Sequence, residues 1–244
     1  MQSEEVDDPR RNFLIWALST GLFSTGFVAT SAMAQSFFGG KPTKLPPGKS
    51  IYRISGEASV NDQTATLDTR INPGDTIKTG PDSELIFVVN SQSMILRSKS
   101  HLVIEAVQKD EGSLLVQGLR MLAGKLLSVS RNSPMTVHTL TATIGIRGTG
   151  FYVEADPELT YFCTCYGETS VQSTVDPESK TSVVATHHDR PLYIAKSAER
   201  GQHIRNAPFV NHTDQELALI EALVGRSTPF VFSNDAYTAP RRNY

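Results

Sequence analysis

Apolar residues between positions 51 and 195 form short runs that Gly, Pro, Asn, Asp and Ser interrupt at close intervals. The runs are rich in Val, Ile, Thr and aromatic residues, a pattern typical of β-strands rather than helices. Strands are predicted at residues 51–54, 64–69, 84–89, 94–96, 102–107, 126–130, 135–140, 143–155, 160–166, 169–174 and 183–186. This succession predicts an all-β fold, whether a sandwich, a barrel or a short solenoid.

A helical pattern appears near the C-terminus, at residues 214–224. Thr213 is a suitable N-cap, Glu216 completes a capping box, and Gly225 ends the segment. Four apolar residues share one side of this segment: Leu217, Ile220, Leu223 and Val224. The pattern predicts an amphipathic C-terminal helix that packs its apolar side on the β domain.

The first 34 residues have the layout of an export signal, in which a pair of arginines precedes an apolar run that ends in small residues. The residues that carry this layout are Arg10, Arg11, Phe13, Leu14, Ala32 and Ala34. The layout is typical of twin-arginine signal peptides, which direct proteins out of the bacterial cytoplasm. It predicts recognition by the twin-arginine translocase, cleavage after residue 34 and residence in the periplasm.

An uncleaved anchor in the inner membrane is the alternative interpretation. The apolar run, residues 13–34, is close to the length of about 20 residues that a membrane-spanning helix needs. Pro9 and Ile15 also depart from the usual twin-arginine pattern. The glycines and hydroxyl residues within the run favour cleavage, after which no contact with the membrane is expected.

Composition divides the remainder into a Pro/Gly-rich linker at residues 35–50, a β domain at residues 51–196 and a C-terminal extension at residues 197–244. The chain has 23 basic and 25 acidic residues, of which two basic and four acidic ones precede residue 35. The exported part therefore has no formal net charge and no run of like charges. A nucleic-acid partner is not predicted.

Three groups of segments form one set: residues 56–61 with 72–80, residues 83–87 with 98–105, and residues 141–153. Together they resemble the FecR family, a periplasmic domain named after a ferric-citrate transport regulator. The resemblance spans about residues 51–172 and implies a β-rich, non-enzymatic binding or signalling domain. The founding regulator also has a cytoplasmic domain that handles a sigma factor. Here residues 1–12 alone precede the apolar run, so direct sigma-factor control is not expected.

The glycine-rich segment at residues 145–150 superficially resembles a phosphate-binding loop. Such a loop needs a helix after its glycines, whereas strand-like sequence lies on both sides of this one. A bulged strand is therefore predicted, with Arg147 as a buried or edge hydrogen-bonding residue. Because the sequence contains no His-Glu-x-x-His pattern, and its only Gly-x-Ser-x-Gly-like stretch lies in the signal, no enzymatic activity is predicted.

Cys163 and Cys165 are the only cysteines, and at positions i and i+2 of a predicted strand they face the same side. Their Cα atoms are expected about 6.6 Å apart, farther than the roughly 5.5–6 Å that a disulfide prefers. Neighbouring thiols of this kind suit a shared soft metal or pairing between molecules. The downstream histidines that could complete a site are His187, His188, His203 and His212.

The candidate metal site is Cys163, Cys165, His187 and His188, with zinc or copper as the candidate cofactor. The alternative is a pair of buried apolar thiols with exposed loop histidines, because the spacing matches no standard metal motif. Three functions stay open: a binding or sensory module that recognises an envelope protein or a small ligand, a metal-binding or redox-active protein, and a structural scaffold. The scaffold would dock through its helix or a strand edge.

Overall fold

The structure is a computed structural model that describes residues 42–110, 113–131 and 134–230. The six export-signal residues Arg10, Arg11, Phe13, Leu14, Ala32 and Ala34, and the start of the linker, lie outside the described residues. The fold is all-β, as predicted. Among the described residues, no helix has the length and apolar character needed to cross a membrane.

Fourteen strands and one helix are found in the described ranges. In chain order they are β1 (Ile51–Ser55), β2 (Ala58–Val60), β3 (Gln63–Thr64), β4 (Thr76–Thr79), β5 (Glu84–Val89), β6 (Gln92–Leu96), β7 (His101–Asp110), β8 (Ser113–Ser130), β9 (Met135–His138), β10 (Ala142–Ala155), β11 (Leu159–Ser173), β12 (Lys180–Ala185), β13 (Leu192–Ala195), β14 (Ile204–Asn206) and α1 (Asp214–Leu223).

The strands form one continuous sheet in which the long strand β8 joins two parts. The C-terminal half of β8 pairs antiparallel with β6 and β10, and this part continues through β5 to β1 and through β11 and β13 to β14. The N-terminal half pairs with β7, which leads through β4 to β2 and β3. Strand β9 lies between β8 and β10, parallel to β8, and β12 pairs with the second half of β11.

Gly124 marks the point where β8 changes its partners. Its φ of +91° lies in the left-handed region that favours glycine, and a Cβ atom there would lie 2.5 Å from Cα of Ser100. Any larger residue would push the two strands apart. Glycine is therefore required for β8 to pass from one part of the sheet to the other.

Both faces of the central strands are buried, each in its own hydrophobic core. Along β10, Phe151 and Val153 point into the larger first core, whereas Tyr152 points into a second core. The C-terminal segment covers this second core with Leu217, Ile220 and Leu223 of α1. Because neither face is left to water, the apolar runs of the central strands are nearly continuous and do not alternate.

The helix forms where the sequence predicts it. Thr213 is the N-cap: its side chain accepts a hydrogen bond from the Glu216 backbone N–H, and the Glu216 side chain accepts one from the Thr213 N–H. The helix ends at Leu223, one residue earlier than predicted, with Val224 as C-cap and Gly225 at φ +73°. Leu45, within the predicted linker, donates its N–H to the Leu223 carbonyl at 2.9 Å.

Replacing Thr213 by alanine should lower the free energy of unfolding by about 1 kcal/mol, because one helix N–H loses its acceptor. Urea unfolding followed by circular dichroism measures this loss. Thr213→Ser keeps the hydroxyl and should retain nearly all of the stability. An alanine variant as stable as the serine variant would show that the capping box does not stabilise the domain.

Several of the strand predictions were wrong in their limits. The strand predicted at residues 64–69 ends at Thr64, because Thr66 and Thr69 close a turn through Thr66 N–H to Thr69 Oγ1 and Thr69 N–H to Thr66 O. The strands predicted at residues 160–166 and 169–174 are the single strand β11. Gly167, at φ +90°, lets it bend without a break.

The glycine-rich segment at residues 145–150 is a bulged part of β10, as predicted. The β10–β11 register shifts between Arg147 and Gly150, and Gly148 adopts φ +64°. Arg147 is exposed and pairs with the exposed Glu168 at 3.6 Å, so of the two predicted alternatives, a buried or an edge residue, the buried one is wrong. In the first half of β10 alternate side chains point away from the core, and the bulge leaves Arg147 on this outer side.

Candidate metal centre

Strand β11 presents both thiols to the second core. Tyr161, Cys163 and Cys165 alternate along the strand on this face, whereas Phe162 points into the first core. Both cysteines are fully buried free thiols. The predicted arrangement on one face is confirmed, and it brings both sulfur atoms under the C-terminal segment.

A tight turn between β12 and β13 places His188 beside the thiols. The Asp189 carboxylate accepts hydrogen bonds from the N–H and the hydroxyl of Thr186. His188 itself has φ +56° and donates its N–H to the Cys165 carbonyl at 2.9 Å. A left-handed conformation at a residue other than glycine carries a conformational cost and is found often at functional sites. The backbone therefore holds this imidazole against β11.

His212 approaches the thiols from the C-terminal segment, directly before the N-cap of α1. Asn211, with φ +66°, redirects the chain at this point. Its side chain is buried and donates to Oε1 of the buried Glu154 on β10. The His212 ring stacks on Tyr152 with centroids 4.5 Å apart. These contacts fix the fourth side chain of the cluster, which is fully buried.

The ligand atoms of Cys163, Cys165, His188 and His212 all lie within 4.8 Å of one another. Cys163 Sγ lies 3.5 Å from His188 Nδ1, Cys165 Sγ lies 3.4 Å from His212 Nε2, and the two ring nitrogens are 3.2 Å apart. A tetrahedral zinc site with bonds of about 2.0–2.1 Å to nitrogen and about 2.3 Å to sulfur has edges of roughly 3.3 Å between nitrogens and roughly 3.6 Å between nitrogen and sulfur. The three separations given above are close to these edges.

Hydrogen bonds on the outer side of each imidazole set its tautomer. The Val210 carbonyl lies 2.8 Å from His212 Nδ1, and because a carbonyl only accepts, this nitrogen donates. The Asp214 carboxylate lies 3.1 Å from His188 Nε2 and accepts from it. The inner nitrogens, His188 Nδ1 and His212 Nε2, then face the thiols. This is the arrangement by which outer partners orient metal-binding histidines.

The electrostatics of the two thiols differ. Burial raises the pKa of the Cys163 thiol, but hydrogen bonds from Cys165, His188 and His212 together outweigh it and hold this pKa well below the ordinary value. Burial, together with the hydrogen bond and the negative charge of Cys163, raises the pKa of Cys165 well above the ordinary value. The pair thus favours one thiolate beside one thiol, and thiolate is the form that binds metals.

His187 does not join the thiols, contrary to the predicted set. Its Nε2 lies 2.9 Å from both carboxylate oxygens of Asp214, and its side chain is 38% exposed. It belongs to an outer group with Asp214 and His188. His212 takes the fourth position instead. His203 lies elsewhere, with Nδ1 2.9 Å from the Ala195 carbonyl.

A second buried polar cluster holds the other end of α1 to the sheet. The Glu221 side chain is fully buried, and its carboxylate accepts hydrogen bonds from Arg131 Nε at 2.9 Å, from Arg226 Nε at 2.6 Å and from the Tyr166 hydroxyl. Two guanidinium groups thus contact one carboxylate. We interpret this cluster as structural, because Glu221 joins α1 to Tyr166 of β11.

No family model and no curated protein matches this chain. Among solved structures, it is similar to a crystal structure of a putative anti-sigma factor from Parabacteroides distasonis ATCC 8503, with a TM-score of 0.43 and 15% identity. A second crystal structure with the same description gives a TM-score of 0.42 and 16% identity. Each match covers 54% of this chain and 58% of the other, less than two thirds of that protein. A likeness of this degree assigns no function, and the FecR resemblance stays a prediction.

Proposed function

We propose that this chain is an exported, non-enzymatic β module that binds one transition metal ion through Cys163, Cys165, His188 and His212. The observation that carries the proposal is the convergence of these four buried ligand atoms within 4.8 Å. Three separate parts of the chain contribute them. Two imidazoles, each oriented by an outer hydrogen bond, and a thiol pair with one lowered pKa are the properties that a metal centre needs.

The donor set favours zinc or monovalent copper. Thiolate sulfur and imidazole nitrogen are the ligands that these borderline and soft ions prefer, whereas magnesium and calcium prefer oxygen. Four protein ligands complete a tetrahedral shell, and sites of this closed kind serve structure or binding rather than catalysis. The aromatic rings of Tyr152 and Phe209 pack against the imidazoles, and all four ligand side chains are buried.

Metal analysis of the purified full-length protein tests the proposal. The protein is prepared without chelators, and a second sample is exposed to zinc, or to copper under reducing conditions, before removal of loosely bound ions. We expect about one ion per chain. His203→Ala removes a buried histidine outside the cluster and should bind the same amount. Metal far below one ion per chain in every sample would refute the proposal.

The FecR resemblance favours a sensory role, in which the metal is the ligand that the module reports to another envelope protein. Affinity capture from envelope extracts, with metal-loaded and metal-free protein as matched baits, tests this role. A partner retained by one form alone supports a sensor. A partner retained equally by both forms supports the scaffold interpretation instead.

Export is expected to depend on the arginine pair of the leader. Replacing Arg10 and Arg11 by lysine should leave most of the precursor in the cytoplasm, because twin-arginine recognition does not accept a lysine pair. Cell fractionation followed by immunoblotting measures the distribution. A matched replacement of Arg241 and Arg242 at the C-terminus should leave export unchanged. Normal export of the lysine variant would contradict a twin-arginine signal.

A further inference from the structure

We infer that metal binding at this centre is coupled to docking of the C-terminal segment, defined as residues 207–224, on the second core. This inference rests on the proposed metal centre. It adds that the ion acts as a clamp whose presence or absence changes how much of the second core is covered. The exposed surface of the second core would then depend on whether metal is bound.

The first argument is that the ligands come from both the sheet and the C-terminal segment. Cys163 and Cys165 belong to β11 of the sheet, whereas His212 belongs to the segment and lies 47 positions beyond Cys165. Asp214, the first residue of α1, orients His188 through its carboxylate. An ion at the centre therefore bonds the segment directly to the sheet. Its binding energy contributes to docking as well as to the site itself.

The second argument is the loss of bonds when the ion is removed. In the docked arrangement His188 Nδ1 and His212 Nε2 lie 3.2 Å apart, and each lies within 3.5 Å of a cysteine sulfur. An ion bound to these four atoms makes bonds to the sheet and to the segment at once, and its removal takes those bonds away. The metal-free protein is thus biased toward release of the segment, relative to the metal-bound form.

Other contacts between the C-terminal part of the chain and the β domain limit the effect of metal removal, so the domain as a whole is not expected to unfold. Arg97 pairs with Glu216 at 2.9 Å, Arg131 pairs with Glu221, and Arg226 donates to the Ser91 carbonyl. None of them involves a metal ligand. They still favour docking of α1 in the metal-free form, so metal removal is expected to shift an equilibrium between docked and released segment and to leave the sheet intact.

Hydrogen exchange on the full-length protein, with metal and after its removal by a chelator, tests the coupling. Backbone amides of residues 207–224 should exchange at least about tenfold faster in the metal-free form, whereas those of β7 and of residues 113–123 in the N-terminal half of β8 should not change. Equal protection of the segment in both forms would overturn the inference, and so would a uniform loss of protection throughout. Absence of bound metal at the start would instead refute the proposed function.

If metal binding strengthens docking of the segment, weaker docking must in turn lower the metal affinity, and this gives a second test. Leu223 is buried at the far end of α1, about 14 Å along the helix axis from Asp214. Leu223→Ala weakens docking without touching a ligand, so metal affinity should fall about fivefold or more. Leu102→Ala, an equal truncation in the first core, should leave affinity unchanged. Equal affinities of both folded variants and the original protein would contradict the coupling.

Discussion

Replacing Cys165 by serine is expected to nearly abolish metal binding. A serine hydroxyl stays protonated at neutral pH and is a harder, weaker donor than a thiolate, so the centre loses one of its four ligands. Outer hydrogen-bond partners of a metal site are worth about 10–100-fold in affinity, and loss of a ligand should cost more. Competition with a chromophoric chelator measures the affinity of the purified protein.

The matched control lies on the same strand. Thr164 stands between the two cysteines, is equally buried, and faces away from the cluster toward the hydroxyl of Thr169. Thr164→Ser keeps that hydroxyl contact and should bind metal with unchanged affinity. Binding by Cys165→Ser at the original affinity would show that the thiol is not a ligand. An equal loss in both variants would point to damage of β11 instead.

The largest effect on stability is expected for Glu221→Ala. Its carboxylate is fully buried between Arg131 and Arg226 and also accepts from Tyr166. Removal leaves two guanidinium groups beside an apolar core without their counterion. Breaking a buried ion pair costs about 3–5 kcal/mol, and we expect about 3 kcal/mol here because the Arg131 side chain reaches solvent.

Urea unfolding of Glu221→Ala should be compared with that of Glu168→Ala. Glu168 pairs with Arg147 on the exposed side of the sheet, where an ion pair contributes about 0–1 kcal/mol. Both measurements are made on metal-free protein, since bound metal stabilises the folded state by itself. Similar losses in the two variants would contradict the clamping role of Glu221 at the end of α1.

The sequence predicts those elements whose signal is local. The bounds of β5 are predicted correctly, and the helix is predicted to within one residue because its capping box lies in the chain itself. Strands β13 and β14 are not predicted, since they are three or four residues long and depend on neighbours in the sheet. The N-terminal half of β8, which pairs with β7, was not predicted either, because its glycines interrupt the strand-like pattern of the sequence.

The site was predicted in part for the same reason. Alternation along a strand places Cys163 and Cys165 on one face, and this follows from sequence alone. The choice among the downstream histidines does not, because it depends on the turn between β12 and β13 and on the path of the C-terminal segment. His188 lies beside the thiols and His187 does not, whereas His212, which was considered but left out of the predicted set, lies beside Cys165.

The most direct test of a metal centre built from two thiolates and two imidazoles is X-ray absorption spectroscopy of the purified protein at the edge of the bound metal. We expect a first shell of two sulfur atoms at about 2.3 Å and two nitrogen atoms at about 2.0–2.1 Å, the distances typical of zinc. A first shell of nitrogen and oxygen alone, without sulfur, would contradict the assignment of Cys163, Cys165, His188 and His212 as the ligands.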